Sequence, residues 1–475
     1  MATTSAISSS STLDVPSLVA QLMTVERQPI DDLNARISTE QTKISSIGTL
    51  KSLAAGLQLS LKTLSSSLES FSAVSSSSSA LSASAISTAV PGSYSVSVSG
   101  LAQSQNLVSA GQTSSTSTIG DGTTTTISFD FGTISGGTLT NGVYSGASFT
   151  SGGTIKTVTI DSTNNTLQGI SKAINDANIG VTATIINDGS GTPYRLALTS
   201  NDTGVSHSMK ITTSGGDGTI DSMLAYDPAG TQNLNQTLEA RNAEFTVNGI
   251  AISKDSNTVI DAIQGVTLKL DSITTSPVTV TVAHDTDAIV TAAKDFVDAY
   301  NALTSQLKSR SAYGSDGKAG GALAGDGTLR LMLSQLHGIF TTAASGGTLS
   351  YLSQAGITTG ADGSLTVDST KMKSAMGSNY SDFVHLFSSG TGFATRLETW
   401  SDSVLATGGM LDTRTRTLND TIGRYNSKID DLEVRMTTMR KYYTIQFSTL
   451  NTLLANMNSM SAYLSQQFSS SSSGG

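Results

Sequence analysis

The chain of 475 residues has no cysteine, which removes disulfide frameworks, thiolate metal sites and cysteine nucleophiles together. Charge is scarce as well. Asp, Glu, Lys and Arg make up 13% of the residues, against roughly 25% in an average soluble domain, and Ser, Thr, Gly and Asn take their place. A surface that is polar but barely ionic is common in extracellular, β-rich and self-assembling proteins. The formal net charge is −9 and the pI is near 4.9. With no basic patch along the chain, these values argue against nucleic acid as a partner, because phosphate binding needs clustered Lys and Arg. No apolar run approaches the ~20 residues of a membrane span, so no membrane insertion is expected. Residues 1–26 contain no unbroken apolar segment preceded by basic residues, which is not the make-up of a Sec-type signal peptide, so any export is expected by another route.

Catalytic patterns are missing too. His207, His284, His337 and His385 fall in different predicted elements with no ligand-type spacing. Asp-Gly turns recur at Asp121, Asp188, Asp217, Asp326 and Asp362, but without the acidic partners or fixed repeat of calcium loops, so turn chemistry accounts for them. Asn164, Asn201, Asn235, Asn379 and Asn419 match Asn-x-Ser/Thr, as a chain rich in Ser and Thr does by chance. There is no Gly-x-Ser-x-Gly elbow, His-Glu-x-x-His, phosphate loop or dinucleotide fingerprint. The acid pairs Asp31/Asp32 and Asp430/Asp431 sit on expected helix surfaces. Neither an enzyme nor a metal or cofactor site is expected.

What the chain does have is a heptad rhythm at both ends. Leu418, Ile422, Tyr425, Ile429, Leu432, Met436, Met439, Tyr443, Phe447, Leu450, Leu453, Met457, Met460 and Leu464 run almost all at alternating steps of four and three. Ile30, Leu33, Ile37, Ile44, Ile47, Leu50, Leu53, Leu57, Leu61, Leu64, Leu68 and Phe71 keep the same rhythm, with Glu40 a polar lapse. Such seams close against another helix. Ahead of them, Asp14 and Pro16 start a helix whose face is Leu18, Val19, Leu22, Met23 and Val25, and Pro29 is expected to stop it. That short helix has little to bury, so it is expected to be loose alone and ordered by a partner. Residues 1–12 form a Ser/Thr-rich tail expected to be disordered in isolation.

Between the ends the period changes to two. Tyr94, Val96 and Val98 alternate with serines, and Ile127, Phe129 and Phe131 with polar residues, as half-buried strands do. Residues 111–153 are dense in Gly, Ser and Thr and predict turns and long loops. Asn248-Gly249 between apolar pairs is the strongest hairpin signal, because a type I′ turn needs two residues tolerant of positive φ. A helix at 165–178 followed by Gly180-Val181-Thr182, and a shorter one at 257–263 followed by Gly265-Val266-Thr267, suggest a duplicated β-helix-β module. Helical patterns return at 289–307 and 323–340, then a hairpin-like piece and short helices.

The expected fold class is α+β multidomain: a helical coiled-coil stalk formed by both termini, with two β-rich, β-sandwich-like head domains inserted between them. The expected parts are a tail and leg helix (1–29), an N-terminal stalk helix (30–75), an inner head (76–112 and 240–285) and an outer head (113–239). A helical stalk domain (286–417) and a C-terminal coiled-coil leg and tail (418–475) complete the chain.

Several segments resemble the flagellar filament cap family, the hook-associated protein 2 family. They are Leu13-Asp14-Val15-Pro16-Ser17-Leu18-Val19 with Glu26-Arg27-Gln28-Pro29, then Phe245-Thr246-Val247-Asn248-Gly249-Ile250, Ser256-Asn257-Thr258-Val259 and Gly265-Val266-Thr267-Leu268. Leu323-Ala324-Gly325-Asp326 and Tyr463-Leu464-Ser465-Gln466-Gln467-Phe468 are similar too. The resemblance implies secretion by the flagellar type III export apparatus, with a cytoplasmic export chaperone on the C-terminal region. It also implies an extracellular homo-oligomeric ring, typically a pentamer, at the distal tip of the flagellum, where it promotes folding and insertion of flagellin. Some members also adhere to mucin. On this reading the work is done by apolar helical faces: Leu18, Leu22 and Met23 at one end, and Leu453, Met457, Met460, Leu464 and Phe468 at the other. A surface adhesin or fibre protein with an oligomerising helical stalk, and a hook-filament junction protein, are the alternatives.

Overall fold

The computed structural model describes residues 14–313 and 320–472. The tail at 1–12, Leu13 and the last residues, 473–475, lie outside them. Ten α-helices occur among the described residues: α1 (Val15–Glu26), α2 (Gln28–Ser67), α3 (Leu167–Asp176), α4 (Thr219–Leu224), α5 (Thr286–Ser311), α6 (Gly327–Thr341), α7 (Ser369–Ser378), α8 (Tyr380–Ser388), α9 (Phe393–Leu405) and α10 (Met410–Ser472). The chain divides into two compact units, a helical one from residues 1–68 and 286–475 and a β-rich one from residues 69–285.

In the helical unit the heptad side chains of α2 become a core. Ile47, Leu50, Leu57, Leu61 and Leu64 are buried against Ile289, Phe296, Leu303 and Leu307 of α5, with Leu397 and Val404 of α9 and Leu411 and Leu418 of α10. Polar groups tie α2 to its neighbours as well: Arg310 of α5 donates to Ser46 Oγ at 2.7 Å, and the hydroxyl of Tyr380 in α8 donates to the carbonyl of Leu68 at 2.5 Å. A small antiparallel pair, Ile357–Thr359 with Leu365–Val367, realises the expected hairpin-like piece.

The β-rich unit has two cores. In the inner one, Phe71–Ser75, Val278–His284, Gly92–Gly100, Ala243–Val247 and Ile250–Lys254 form a five-stranded sheet in that order, beside the three-stranded sheet Thr258–Ile263, Val266–Leu270, Leu81–Ala85. Val96, Val98, Phe245, Leu268 and Val280 fill the space between inward faces. Because Phe71–Ser75 pairs antiparallel with Val278–His284, the chain enters and leaves this unit at one place. The outer core lies among the four-stranded sheet Leu234–Leu238, Asn106–Ser109, Tyr194–Ser200, Val181–Asn187, the three-stranded sheet Val143–Ile160, Thr125–Thr140, Ser208–Gly215, and helices α3 and α4. Buried amides link its elements: Gln105 donates to Gln236 at 2.6 Å, and the Tyr226 hydroxyl donates to the same oxygen at 2.9 Å.

The Asn248-Gly249 turn forms as expected, with φ of 49° and 82°. Several expectations need correction. Phe71, assigned to the heptad helix by its spacing, is strand: α2 ends at Ser67, and Phe71 stacks on His284 with centroids 4.7 Å apart. Residues 257–263 are not a helix. Val259 and Ile263 point inward while Ile260 is 71% exposed, and Asn257, rather than capping a helix, clamps Ala102 through its amide at 2.7 and 2.9 Å. The second β-helix-β module therefore does not exist. Residues 111–153 hold most of a long hairpin, Thr125–Thr140 with Val143–Ile160, turned at Asn141-Gly142 with φ of 51° and 84°. Asn106–Ser109 pairs with outer strands, so the inner head ends before residue 106 rather than at 112. Finally, α10 begins at Met410, not Leu418, and reaches Ser472.

One consequence can be measured. Tyr300 of α5 is 4% exposed, and burial pushes its phenol up to about 12. In the unfolded chain a tyrosine ionises near pH 10. Its contribution is therefore whole below about pH 10 and is lost as pH rises towards about 12, because only the unfolded state releases the proton. In Tyr300→Phe, the alkaline decline of helical-unit stability between those values should be shallower by about 1.4 kcal/mol per pH unit, measured by urea denaturation at stepped pH.

Candidate functional site

The two chain ends meet. Asp14 caps α1 by accepting from the Ser17 amide at 3.2 Å, and Pro16 stands in the first turn, where its missing N–H costs nothing. Pro29 interrupts the ladder as expected, but only for one residue. Arg27 keeps helical dihedrals and its carbonyl accepts from Ile30 at 2.9 Å, so α2 starts at Gln28. The buried side of α1 is Val19, flanked by half-buried Val15, Leu18, Met23 and Glu26. It packs against α10, and the Tyr443 hydroxyl donates to the Glu26 carboxylate at 3.2 Å. Desolvation, then the Glu26 charge, push the Tyr443 phenol upward.

The seam of α10 changes character along its length. Leu418 is buried, and Ile422, Tyr425, Ile429, Leu432, Met436, Met439, Tyr443 and Phe447 are half-buried. Beyond them, Leu453, Met457, Met460, Leu464 and Phe468 are 48–72% exposed. The eight residues singled out in the sequence therefore divide. Leu18 and Met23 help seat α1, Leu22 is on its exposed side, and the five distal residues form one open stripe on α10. At 63 residues α10 extends about 95 Å at 1.5 Å per residue. Its stripe belongs to an extension rather than to a compact core.

Sequence reasoning missed the anchor at the other end of α10. Asp326 caps α6 by accepting from the Thr328 amide at 2.8 Å, and its second oxygen accepts from Arg414 of α10 at 2.8 Å, with the carboxylate side chain only 5% exposed. Gly325 just before it has φ of 76°, a conformation that favours glycine. The Leu-Ala-Gly-Asp segment is thus the joint between α6 and α10. Its Asp-Gly signal was visible, but its partner lies 88 residues away. Val19 and Glu26 were likewise not singled out as contacts.

Among the described residues there is no group of three side chains able to hold a metal ion, and no helix long and apolar enough to cross a membrane. Exposed apolar side chains run along the distal end of α10.

Comparison with known proteins places the chain in a family. The model of the flagellar hook-associated protein 2 N-terminus matches residues 11–105, and that of its C-terminus residues 240–459. Flagellar hook-associated protein 2 of Escherichia coli O157:H7 is 35% identical over 490 residues, covering 99% of each chain. The B-type protein of Pseudomonas aeruginosa is 31% identical, covering 88% of each. Among solved structures, the D1-D2-D3 domains of the E. coli flagellar cap protein FliD superpose with a TM-score of 0.64 at 33% identity, covering 79% of this chain and 99% of that one. The chain belongs to the flagellar hook-associated protein 2 family. It is a filament cap protein of the extracellular, distal end of the flagellum. Most of the outer head, residues 106–239, lies between the stretches the two family models match.

Replacing Asp326 should separate its two jobs. Asp326→Asn keeps a capping oxygen and loses the pair with a partly exposed Arg414, costing about 1–2 kcal/mol. Asp326→Ala also loses the cap and should cost about 1 kcal/mol more. Chemical denaturation followed by helical circular dichroism would show both, and equal stability of the two variants would remove the capping role.

Proposed function

We propose that copies of this chain assemble into a ring, with a pentamer as the working form, and that the helical ends reach flagellin. There the ring promotes folding and insertion of each exported flagellin subunit and prevents its leakage. The observation that carries this reading is the stripe Leu453, Met457, Met460, Leu464 and Phe468, which continues the α1–α10 seam past the point where α1 covers it. Each such side chain offers about 1.5–3 kcal/mol on full burial, so a partner helix gains most of its affinity there. Leu18, Leu22 and Met23 belong to the same contact region through α1. Before secretion, the same apolar end is the surface for a cytoplasmic export chaperone, and passage through the type III apparatus suits a chain with no disulfide to form. Work of this kind is structural and needs no catalytic site.

The test is Leu464→Asp with Phe468→Asp, expressed in the native host in place of the intact gene. Both positions are exposed, so the heads should fold with unchanged thermal stability. Filament growth should fall at least tenfold, with flagellin monomers accumulating in the medium on immunoblots and bare hooks in electron micrographs. Filaments of normal length would discard the assignment of these residues.

A further inference from the structure

Among the twelve methionines of the chain, exposure singles out two. Met209, Met223, Met332, Met372 and Met376 are at most 5% exposed, and Met23, Met410, Met436 and Met439 are half-buried. Met1 lies outside the described residues. Met457 and Met460, in contrast, are 59% and 65% exposed. They stand about one helical turn apart at the centre of the open stripe, with Leu453 on one side and Leu464 and Phe468 on the other.

Their chemistry differs from that of their neighbours. The thioether is the oxidisable group in such a stripe, and it reacts where an oxidant can reach it. Nothing more reactive competes within the chain, since cysteine is absent and the single tryptophan, Trp400, is 6% exposed. A lone pair of Sδ attacks one oxygen of hydrogen peroxide, and the S–O bond forms as the O–O bond breaks. The departing hydroxide takes the proton of the transferred oxygen, so the products are one sulfoxide and one water. Sulfur loses two electrons and the peroxide gains them. A flexible apolar side chain thereby becomes a polar one carrying a hydrogen-bond acceptor. In an apolar contact that oxygen meets no donor, and its burial is opposed. Two such oxygens at the middle of the stripe interrupt it whichever helix covers it.

We propose that Met457 and Met460 form an oxidation site through which a peroxide in the medium withdraws the stripe from its partner. Once the stripe is covered, the burial that makes the contact also shields both sulfurs, so the oxidant acts on a chain not yet seated. The loss of capping rests on the stripe being the contact surface proposed above, whereas the selective oxidation does not.

The full chain is treated with graded hydrogen peroxide under native conditions, and each methionine sulfoxide is quantified by peptide mass spectrometry. Met457 and Met460 should oxidise at least about fivefold faster than any of the five buried methionines, with Met436 and Met439 between. Equal rates throughout would overturn the site. Chain oxidised at these two positions is then supplied to cells lacking its gene, and filaments are counted by electron microscopy. Their number should fall at least about tenfold, and recover to within about twofold once methionine sulfoxide reductases A and B have restored both thioethers. In Met457→Leu with Met460→Leu, compared with its own untreated sample, the same peroxide dose should cost less than about twofold. A loss that the reductases do not reverse, or one as large in the leucine variant as in the parent chain, would overturn the role of these two sulfurs. Selective oxidation with undiminished capping would leave the oxidation site standing and overturn both the withdrawal and the contact reading on which it rests.

Discussion

The return of α10 along α2 is the contact on which the helical unit depends. It joins residues separated by most of the sequence, and neither helix is stable by its own propensity alone, since long amphipathic helices in water draw their stability from packing of one face. Leu411 and Leu418 of α10 enter the core that Ile47, Leu57 and Leu64 of α2 share with α5. With that core in place, the Arg414–Asp326 contact at 2.8 Å fixes where α10 begins, and the remaining turns can run outward past α1. The β-rich insertion is compatible with this closure because its first and last strands pair with each other. A long insertion then costs little more loop entropy than a short one.

The helical ends were legible because a heptad pattern sustained over many turns arises in little besides helices that pair along one seam. Strands were harder, and particular residues show why. Phe71 fell by chance on the heptad rhythm, and only pairing with Val278–His284 makes it strand. Of the long hairpin only the start was legible, where Ile127, Phe129 and Phe131 alternate with polar residues; much of the rest of Thr125–Thr140 and of Val143–Ile160 is exposed on both faces, so little alternation is written there. The Asn141-Gly142 turn was as good a signal as Asn248-Gly249 but lacked flanking apolar pairs. At 257–263, β-branched Val259, Ile260 and Ile263 favour a strand, and the helical reading gave too much weight to an echo of α3.

For the contact surface, spacing located the stripe but could not say how much of it is covered. Met439 and Met460 occupy equivalent places in the rhythm, yet one is half-buried and the other 65% exposed. The difference is set by where α1 lies. Glu26 could not be read as a contact either, because a carboxylate meeting a tyrosine hydroxyl 417 residues away leaves no local trace.

An exposed apolar stripe invites aggregation, and its secondary structure limits that risk. In a helix every interior backbone N–H and C=O is already paired, so the stripe offers no strand edge for cross-β growth. Its side chains, with Leu450 and Tyr463 beside them, are set among Ser, Asn and Gln, which limits the continuous apolar area. Electrostatic repulsion, the usual further safeguard, is absent along the stripe, because no residue from Tyr442 onward is charged. Solubility in this segment therefore rests on neutral polar residues, and the twelve charges of α10 are confined to residues 410–441, where the helix has partners within its own chain.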